Sequence, residues 1–306
     1  MLRPFALWVK RILFRLVESP GVLLFLLSGK KPKAGLTILC YHRIADGLPR
    51  NPLLNSFNVS PAQFERQLAA LESLPGISVV SVRQVAEWLE TGPIPAGSFL
   101  LFTFDDGYKN AIVAAVQLAA KGLNGVFFVV TGYVGEEVLD FNVYDVWCKN
   151  LPGSNPIWYR PMDLEDCRRL LALGMEIQPH SHTHRPLGWL KPEEMEQEIQ
   201  ASKVFVEGIL GQSGRAFSYP FGSSYLNHFT PATERALARA GFRFAVSTEA
   251  GRNDLRSLQT RAFRMRRIPV NDYDDGLFFQ AKAAGYCGTL PIAKYLLHKV
   301  VLRHLT

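Results

Sequence analysis

The chain has 306 residues, 48% hydrophobic and 20% charged, which excludes wholesale disorder and suits one large α/β domain or two smaller ones. No apolar run reaches the roughly 18–20 residues of a bilayer-crossing helix, and Cys40, Cys148, Cys167 and Cys287 form no CxxC pair, against a zinc ribbon or a disulfide scaffold. The net charge of +7 is concentrated at the ends: residues 1–33 carry net +6 and residues 282–306 net +4, leaving the middle mildly acidic. Nucleic-acid binding would spread basic residues over the folded core, so this pattern points instead to an anionic membrane surface.

Residues 2–18 form an amphipathic helical pattern. Lys10, Arg11, Arg15 and Glu18 share one face, with Phe5, Trp8, Val9, Ile12, Leu13 and Leu16 opposite and Leu7 and Phe14 intruding. Ser19-Pro20-Gly21 is expected to break this helix before the short apolar run Val22–Leu27 and the cluster Lys30-Lys31-Pro32-Lys33. The reading is a peripheral, monotopic segment over residues 1–33 on the cytoplasmic face of a bacterial inner membrane. A helix packed on the protein's own core and an export signal are the alternatives, although no small-x-small cleavage site follows the apolar run.

From Leu36 onward apolar runs alternate with amphipathic stretches. Strands are expected at Leu36–Tyr41, Ile77–Val80, Phe99–Phe104, Gly125–Val130, Met175–Gln178, Ala216–Tyr219, Phe244–Val246 and Arg267–Val270. Helices are expected at Pro61–Leu74, Val82–Glu90, Asn110–Ala120, Leu164–Leu173, Pro192–Leu210 and Pro231–Ala240, with Ser60 and Thr230 as caps ahead of first-turn prolines. Seven or eight such units imply an α/β fold, a distorted (β/α)7–8 barrel resembling a TIM barrel, over residues 34–281. A basic helix over 282–306 follows, and Gly132–Arg160 is too long for an ordinary connection, reading as an elaborated loop near the site.

Polar clusters fall at four strand ends, where such barrels place their chemistry. They are Leu39-Cys40-Tyr41-His42, Thr103-Phe104-Asp105-Asp106-Gly107-Tyr108, Pro179-His180-Ser181-His182-Thr183-His184 and Ser218-Tyr219-Pro220-Phe221-Gly222. Adjacent aspartates point apart on an ideal strand, and Gly107 permits the turn that brings both to one pocket. Two carboxylates so close call for a cation or a shared proton, unless the segment is only a turn. His180 and His184 suit one metal if the segment turns helically, and a solvated histidine loop is the plainer alternative. One carboxylate with two histidines makes a three-ligand site with open positions, leaving the second aspartate free as a base.

In order and about 75 residues apart, the Asp-Asp and His-x-x-x-His motifs resemble the polysaccharide deacetylases with the NodB-homology fold, carbohydrate esterase family 4. The resemblance covers roughly Leu36 to Val270. It implies Asp105 as catalytic base, Asp106, His180 and His184 as metal ligands, His182 as a middle residue, and the backbone N–H of Phe221 as oxyanion donor. The implied metal is divalent, most expectedly Zn²⁺, with Co²⁺, Ni²⁺ or Fe²⁺ as alternatives. Ser218 stands where the family motif commonly has the arginine that holds the base, so that tether is unassigned. The family's Leu-x-x-His motif normally lies near the C-terminus, where His298 and His304 sit in a basic amphipathic stretch. Leu39-Cys40-Tyr41-His42 fits it too, resembling the permuted arrangement of biofilm poly-N-acetylglucosamine deacetylases, and this implies His42 as the catalytic acid. Tyr108, Tyr219, Trp147 and Trp158 are candidate sugar-stacking residues, with burial in the core as the alternative. The implied function is metal-dependent N-deacetylation of an N-acetylated amino sugar, on a polyprenyl-linked glycan or a nascent exopolysaccharide. An exported deacetylase of peptidoglycan or poly-N-acetylglucosamine, and a catalytically silent glycan-binding protein, are the alternatives.

Overall fold

A computed structural model describes residues 18–48 and 58–287. All eight anticipated strands form: β1 (Gly35–Tyr41), β4 (Ile77–Val79), β5 (Ser98–Phe104), β6 (Val126–Val129), β7 (Glu176–Pro179), β8 (Ala216–Ser218), β9 (Phe244–Ala250) and β10 (Met265–Pro269). A two-residue pair, β2 (Arg43–Ile44) with β3 (Asn58–Val59), adds a small flap that the sequence reading had not anticipated. The main sheet is parallel throughout and ordered β7-β6-β5-β1-β10-β9-β8, with β4 beside the start of β5. Its edges β7 and β8 meet without a strand ladder. Side chains bridge the seam: Gln178 donates to Ser213 O at 2.9 Å and its Oε1 accepts from the N–H groups of Arg215 and Ala216, both at 2.8 Å. The sheet is thus a barrel closed on one side by a glutamine.

Strand alternation sorts the interior into two layers. Leu36, Ile38, Leu101, Val126, Phe128, Ala216, Phe244, Val246 and Met265 fill the amino-terminal half of the barrel. One step further along the same strands, Thr103, Asp105, His180, Ser218 and Arg267 are buried polar groups. Residues of opposite parity, including Leu39, Tyr41, Phe102, Phe104 and Phe127, face the surrounding helices α2 (Pro61–Glu72), α4 (Ile112–Ala120) and α6 (Leu164–Ala172). α3 (Val82–Thr91), α7 (Pro192–Val204) and α8 (Pro231–Arg239) complete the anticipated set. Thr230 caps α8, accepting from Thr233 N, whereas the hydroxyl of Ser60, at the N-cap position of α2, donates instead to Asp272 at 2.7 Å. The long connection after β6 holds the short helix α5 (Val143–Lys149).

Two expectations at the ends are corrected. Residues 18–27 are helical (α1), so Ser19-Pro20-Gly21 lies within a helix and does not break one. Gly21 serves close packing there: a Cβ would come within 2.5 Å of Tyr286 O. The second concerns residue 282. α9 (Gly276–Ala283) runs through the expected boundary, and Lys282 is fully buried, paired with Asp274 at 2.7 Å and Glu18 at 3.0 Å. It ties α1 to the barrel and is no part of a basic surface. The amphipathic pattern before Glu18, and the basic stretch after Cys287 with His298 and His304, lie outside the described residues.

Candidate active site

β5 ends at Phe104, and the chain turns sharply through Asp105, Asp106 and Gly107. Asp106 takes φ of 72° and Gly107 76°, where a Cβ on Gly107 would press Val129 at 3.0 Å. This left-handed pair turns both carboxylates into the barrel mouth, as the glycine had suggested. Six non-glycine residues have positive φ among those described, and four of them, Asp106, Ser181, His184 and Phe221, belong to this site. Such backbone costs about 1–3 kcal/mol per residue and persists only where surrounding contacts impose it.

Those contacts can be traced. His180 sits at the end of β7, and its Nδ1 lies 2.8 Å from Ser218 O. A carbonyl only accepts, so Nδ1 carries the proton and Nε2 is the free lone pair, turned to Asp106 Oδ1 at 3.4 Å. The loop carrying His184 is held by Glu198 of α7, which is buried and accepts from the N–H groups of His182 (2.9 Å) and Thr183 (2.8 Å) and from the Thr183 hydroxyl. Ser181 Oγ accepts from His184 N at 2.9 Å, and Phe141, from the long loop, stacks on the His184 ring at 3.8 Å. His184 Nε2 thereby faces Asp106 Oδ1 at 3.5 Å. His182 turns away, with Nδ1 3.0 Å from Thr131 Oγ1.

Donor atoms of Asp106, His180 and His184 all lie within 4.8 Å of one another. Separations of 3.4 and 3.5 Å are long for hydrogen bonds. They match the ~3.3 Å between donors that sit about 2.0–2.1 Å from a tetrahedral Zn²⁺. One carboxylate oxygen and two imidazole nitrogens, all buried, are therefore a donor set that fits a divalent metal with open positions. Burial alone would raise the pKa of Asp106, but the imidazoles of His180 and His184 beside it, with His42, outweigh that and hold Asp106 well below the usual carboxylate range. Burial likewise opposes protonation of His180, and the charges of Asp105 and Asp106 reverse it, raising that pKa.

Asp105 has a tether that the motif reading left unassigned. Arg267, buried on β10, grips it with a fork of two hydrogen bonds, Nη1 to Oδ1 at 2.7 Å and Nη2 to Oδ2 at 2.6 Å. The same Nη2 donates to Ser218 Oγ at 3.1 Å, and Ser218 Oγ lies 3.3 Å from Asp105 Oδ2. Arg267 thus arrives from a different strand, and the small Ser218 leaves it room. Desolvation pushes the Asp105 pKa up and Arg267 and His180 pull it down further, so the net direction is downward and Asp105 is ionised. Donor atoms of His42, Cys40 and Asp105 also lie within 4.8 Å of one another, which places His42 beside the aspartate. Burial lowers the His42 pKa, with Asp106 and Asp105 opposing.

Two stacking candidates are corrected. Tyr108 is fully buried, donating to Asp145 at 2.7 Å and accepting from Arg43 (2.7 Å) and Asn142 (2.8 Å). Tyr219 is fully buried, stacked on Phe229 at 4.2 Å with its hydroxyl on Phe263 O. Neither offers a ring face to a ligand, because both anchor chain segments. Trp158 packs against the small cluster of Ala45, Leu48, Cys148 and Tyr159, and Trp147 is partly exposed. Phe221 is half exposed, and from it an aromatic ribbon leads outward: His184 to Phe221 (4.8 Å), Phe221 to His228 (5.4 Å) and His228 to the exposed Trp189 (5.2 Å). The Phe221 N–H donates to no protein group among the described residues, while its carbonyl accepts from Thr248 at 2.7 Å.

The sequence reading missed Arg267, Glu198, Phe141 and this ribbon. The strand expected at Arg267–Val270 did begin with a cation, but which of Arg266 and Arg267 faces inward depends on the pairing of β10.

The family model for polysaccharide deacetylase matches residues 95–245, the span from the start of β5 into β9. YxkH of Bacillus subtilis (strain 168), named for polysaccharide deacetylase, is 24% identical over 253 residues, 82% of this chain and 77% of that protein. The fold is shared with the Streptococcus pyogenes deacetylase PplD, solved with acetate (TM-score 0.66, 22% identity, 83% of this chain and 99% of that one). It is also shared with IcaB from Ammonifex degensii (TM-score 0.63, 21% identity, 83% and 98%) and a de-N-acetylase from Aggregatibacter actinomycetemcomitans (0.59, 16%, 79% and 96%). With both the aspartate and the histidine motifs inside the matched span, residues 95–245 form a domain of the polysaccharide deacetylase family.

Proposed function

We propose that this polysaccharide deacetylase is a metal-dependent N-deacetylase of an N-acetylated amino sugar. The observation that carries the reading is the convergence of Asp106, His180 and His184 at metal-ligand spacing beside a separately tethered carboxylate, Asp105. Asp106, His180 and His184 would hold the ion, most expectedly Zn²⁺, which when bound polarises the acetyl oxygen and lowers the pKa of water. Asp105 accepts the proton of the attacking water, and Arg267 keeps it ionised and aimed. The Phe221 N–H, with no protein acceptor among the described residues, donates to the oxygen that gains charge. His42 gives a proton to the departing amine. Burial lowers its pKa, so its acid form is favoured below neutrality and activity falls as pH rises.

Phe221 and Trp189 offer exposed aromatic faces for successive sugar rings, which supports a glycan chain as substrate. The basic, apolar N-terminal region supports a setting at the cytoplasmic face of the inner membrane, on a polyprenyl-linked glycan or nascent exopolysaccharide. Acetate release by metal-loaded and chelated protein, from a polyprenyl-linked sugar and from a soluble N-acetylated oligosaccharide, tests both parts. Release that vanishes on chelation supports the chemistry, and the preferred substrate decides between lipid-linked sugar and polymer. Sugar binding without turnover in metal-loaded protein would contradict the reading.

A further inference from the structure

Outside the barrel, α1 and the segment that leads from it into β1 carry a second, chemically distinct surface. In α1, Val22 and Phe25 are buried against the body, whereas Leu23, Leu24, Leu26 and Leu27 are exposed by 43–74%. At about 100° per residue the four leucines span roughly 160° of the helix, facing away from Val22 and Phe25. Large leucines so grouped at a surface mark a face that meets something other than water.

Cations continue this face. Lys30 and Lys31 follow α1 and are exposed. Lys33 lies over the Tyr286 ring at 4.1 Å, the ring that also packs on Phe25 at 5.5 Å. Arg252 donates to Ala34 O, and partial burial of Lys33, with the charge of Arg252 nearby, depresses the Lys33 pKa. Arg252 then opens a cavity of about 270 Å³ lined also by Arg261, Arg264 and Arg266, with Asp254 as its only acid. Arg264 is paired with Glu234. Lys30, Lys31, Lys33, Arg252, Arg261 and Arg266 have no carboxylate partner among the described residues.

We infer that this surface docks on an anionic lipid bilayer, with the α1 leucines entering the headgroup boundary and the arginine cavity receiving lipid phosphate. Charge complementarity selects this occupant over a neutral apolar partner. The sequence before α1 repeats the chemistry, with Arg3, Lys10, Arg11 and Arg15 among Phe5, Trp8, Ile12 and Leu13. The inference rests on the membrane setting proposed above and adds an orientation. β1 starts just after this face, and its seven residues lead to the catalytic rim at the strand's other end.

The test is co-sedimentation of the full, metal-loaded chain with vesicles of phosphatidylcholine alone or mixed with phosphatidylglycerol, alongside acetate release from a soluble oligosaccharide. Binding is expected on the anionic vesicles only and should weaken with salt. A variant combining Leu23→Ser, Leu24→Ser, Leu26→Ser and Leu27→Ser should bind at least tenfold more weakly, and Arg261→Gln with Arg266→Gln severalfold more weakly, both with unchanged acetate release. Undiminished binding by the leucine variant, or equal binding to neutral vesicles, would overturn the inference. So would a dimer that binds no vesicle and dissociates in the leucine variant, or inorganic phosphate binding at the cavity without vesicle binding. Loss of acetate release in wild type would count against the deacetylase reading and leave the vesicle result standing.

Discussion

Two regions of this molecule handle charge in opposite ways. At the carboxyl ends of the strands, Asp105, Asp106, His180, His184 and Arg267 are buried, and each is met by a partner at a defined distance. On the surface that includes α1, Lys30, Lys31, Arg261 and Arg266 stand in solvent without carboxylates, beside exposed leucines. Burying a charge is costly unless it is paired and hydrogen-bonded. The first arrangement therefore exists only because the fold holds every member in place, and the strained backbone at Asp106, Ser181, His184 and Phe221 belongs to the same bargain. The second imposes no such constraint and gains its energy only from a partner.

The largest effect that would sharpen this contrast comes from removing a ligand. His180→Ala should lose both bound metal and turnover, as read by metal analysis and acetate release; full activity with no metal would break the assignment. Asp105→Asn should keep its metal and lose about 10²–10⁴-fold in rate, because it removes the base and leaves the donor set intact.

Arginines in the two regions should differ in kind. Arg267→Ala leaves a buried carboxylate unpaired, for which about 3–5 kcal/mol of stability is the expected loss by denaturant unfolding. Arg261→Gln should stay within about 0.5 kcal/mol of wild type. Comparable losses would erase the distinction between the regions. The milder Arg267→Lys, which keeps a charge and loses the fork, carries a pH signature. Arg267 depresses the Asp105 pKa, and a base works only above its pKa, so weakening the pair should move the acidic limb of the kcat/KM profile to higher pH. A limb that stays in place would remove Arg267 from the tuning of Asp105.

Smaller effects should come from the supports. Glu198→Gln loosens the loop that aims His184 and should cost about 10–100-fold in metal affinity, measured by competition with a chelator. Trp189→Ala, at the outer end of the aromatic ribbon, should raise KM severalfold for oligosaccharides and leave kcat nearly unchanged.

Local sequence carried much of this. Apolar runs located the eight main strands because most of them are buried on both faces over their central residues, and a parallel sheet covered by helices needs such runs. The Asp-Asp-Gly and His-x-x-x-His segments were legible because the turn chemistry of each lies within a few residues. What could not be read needed register between distant strands. Arg266 and Arg267 are adjacent, and only the pairing of β10 with β1 and β9 decides that Arg267 points inward at Asp105 while Arg266 faces out. Tyr108 looked like a ligand-facing aromatic beside the motif, yet Asp145, 37 residues on, claims its hydroxyl. Gly21 looked like a helix breaker because its real constraint, the approach of Tyr286, lies at the far end of the chain.

In the proposed reaction Asp106, His180 and His184 hold the metal while Asp105, gripped by Arg267, performs the proton transfer. Acetate release from a soluble N-acetylated oligosaccharide, compared between wild type and Asp105→Asn at equal measured metal content, tests that division of labour most directly. The prediction is stoichiometric acetate and free amine from wild type, abolished by chelation, and a rate at least about a hundredfold lower from the variant. Equal rates from the two proteins, or release from wild type that survives removal of the metal, would contradict it.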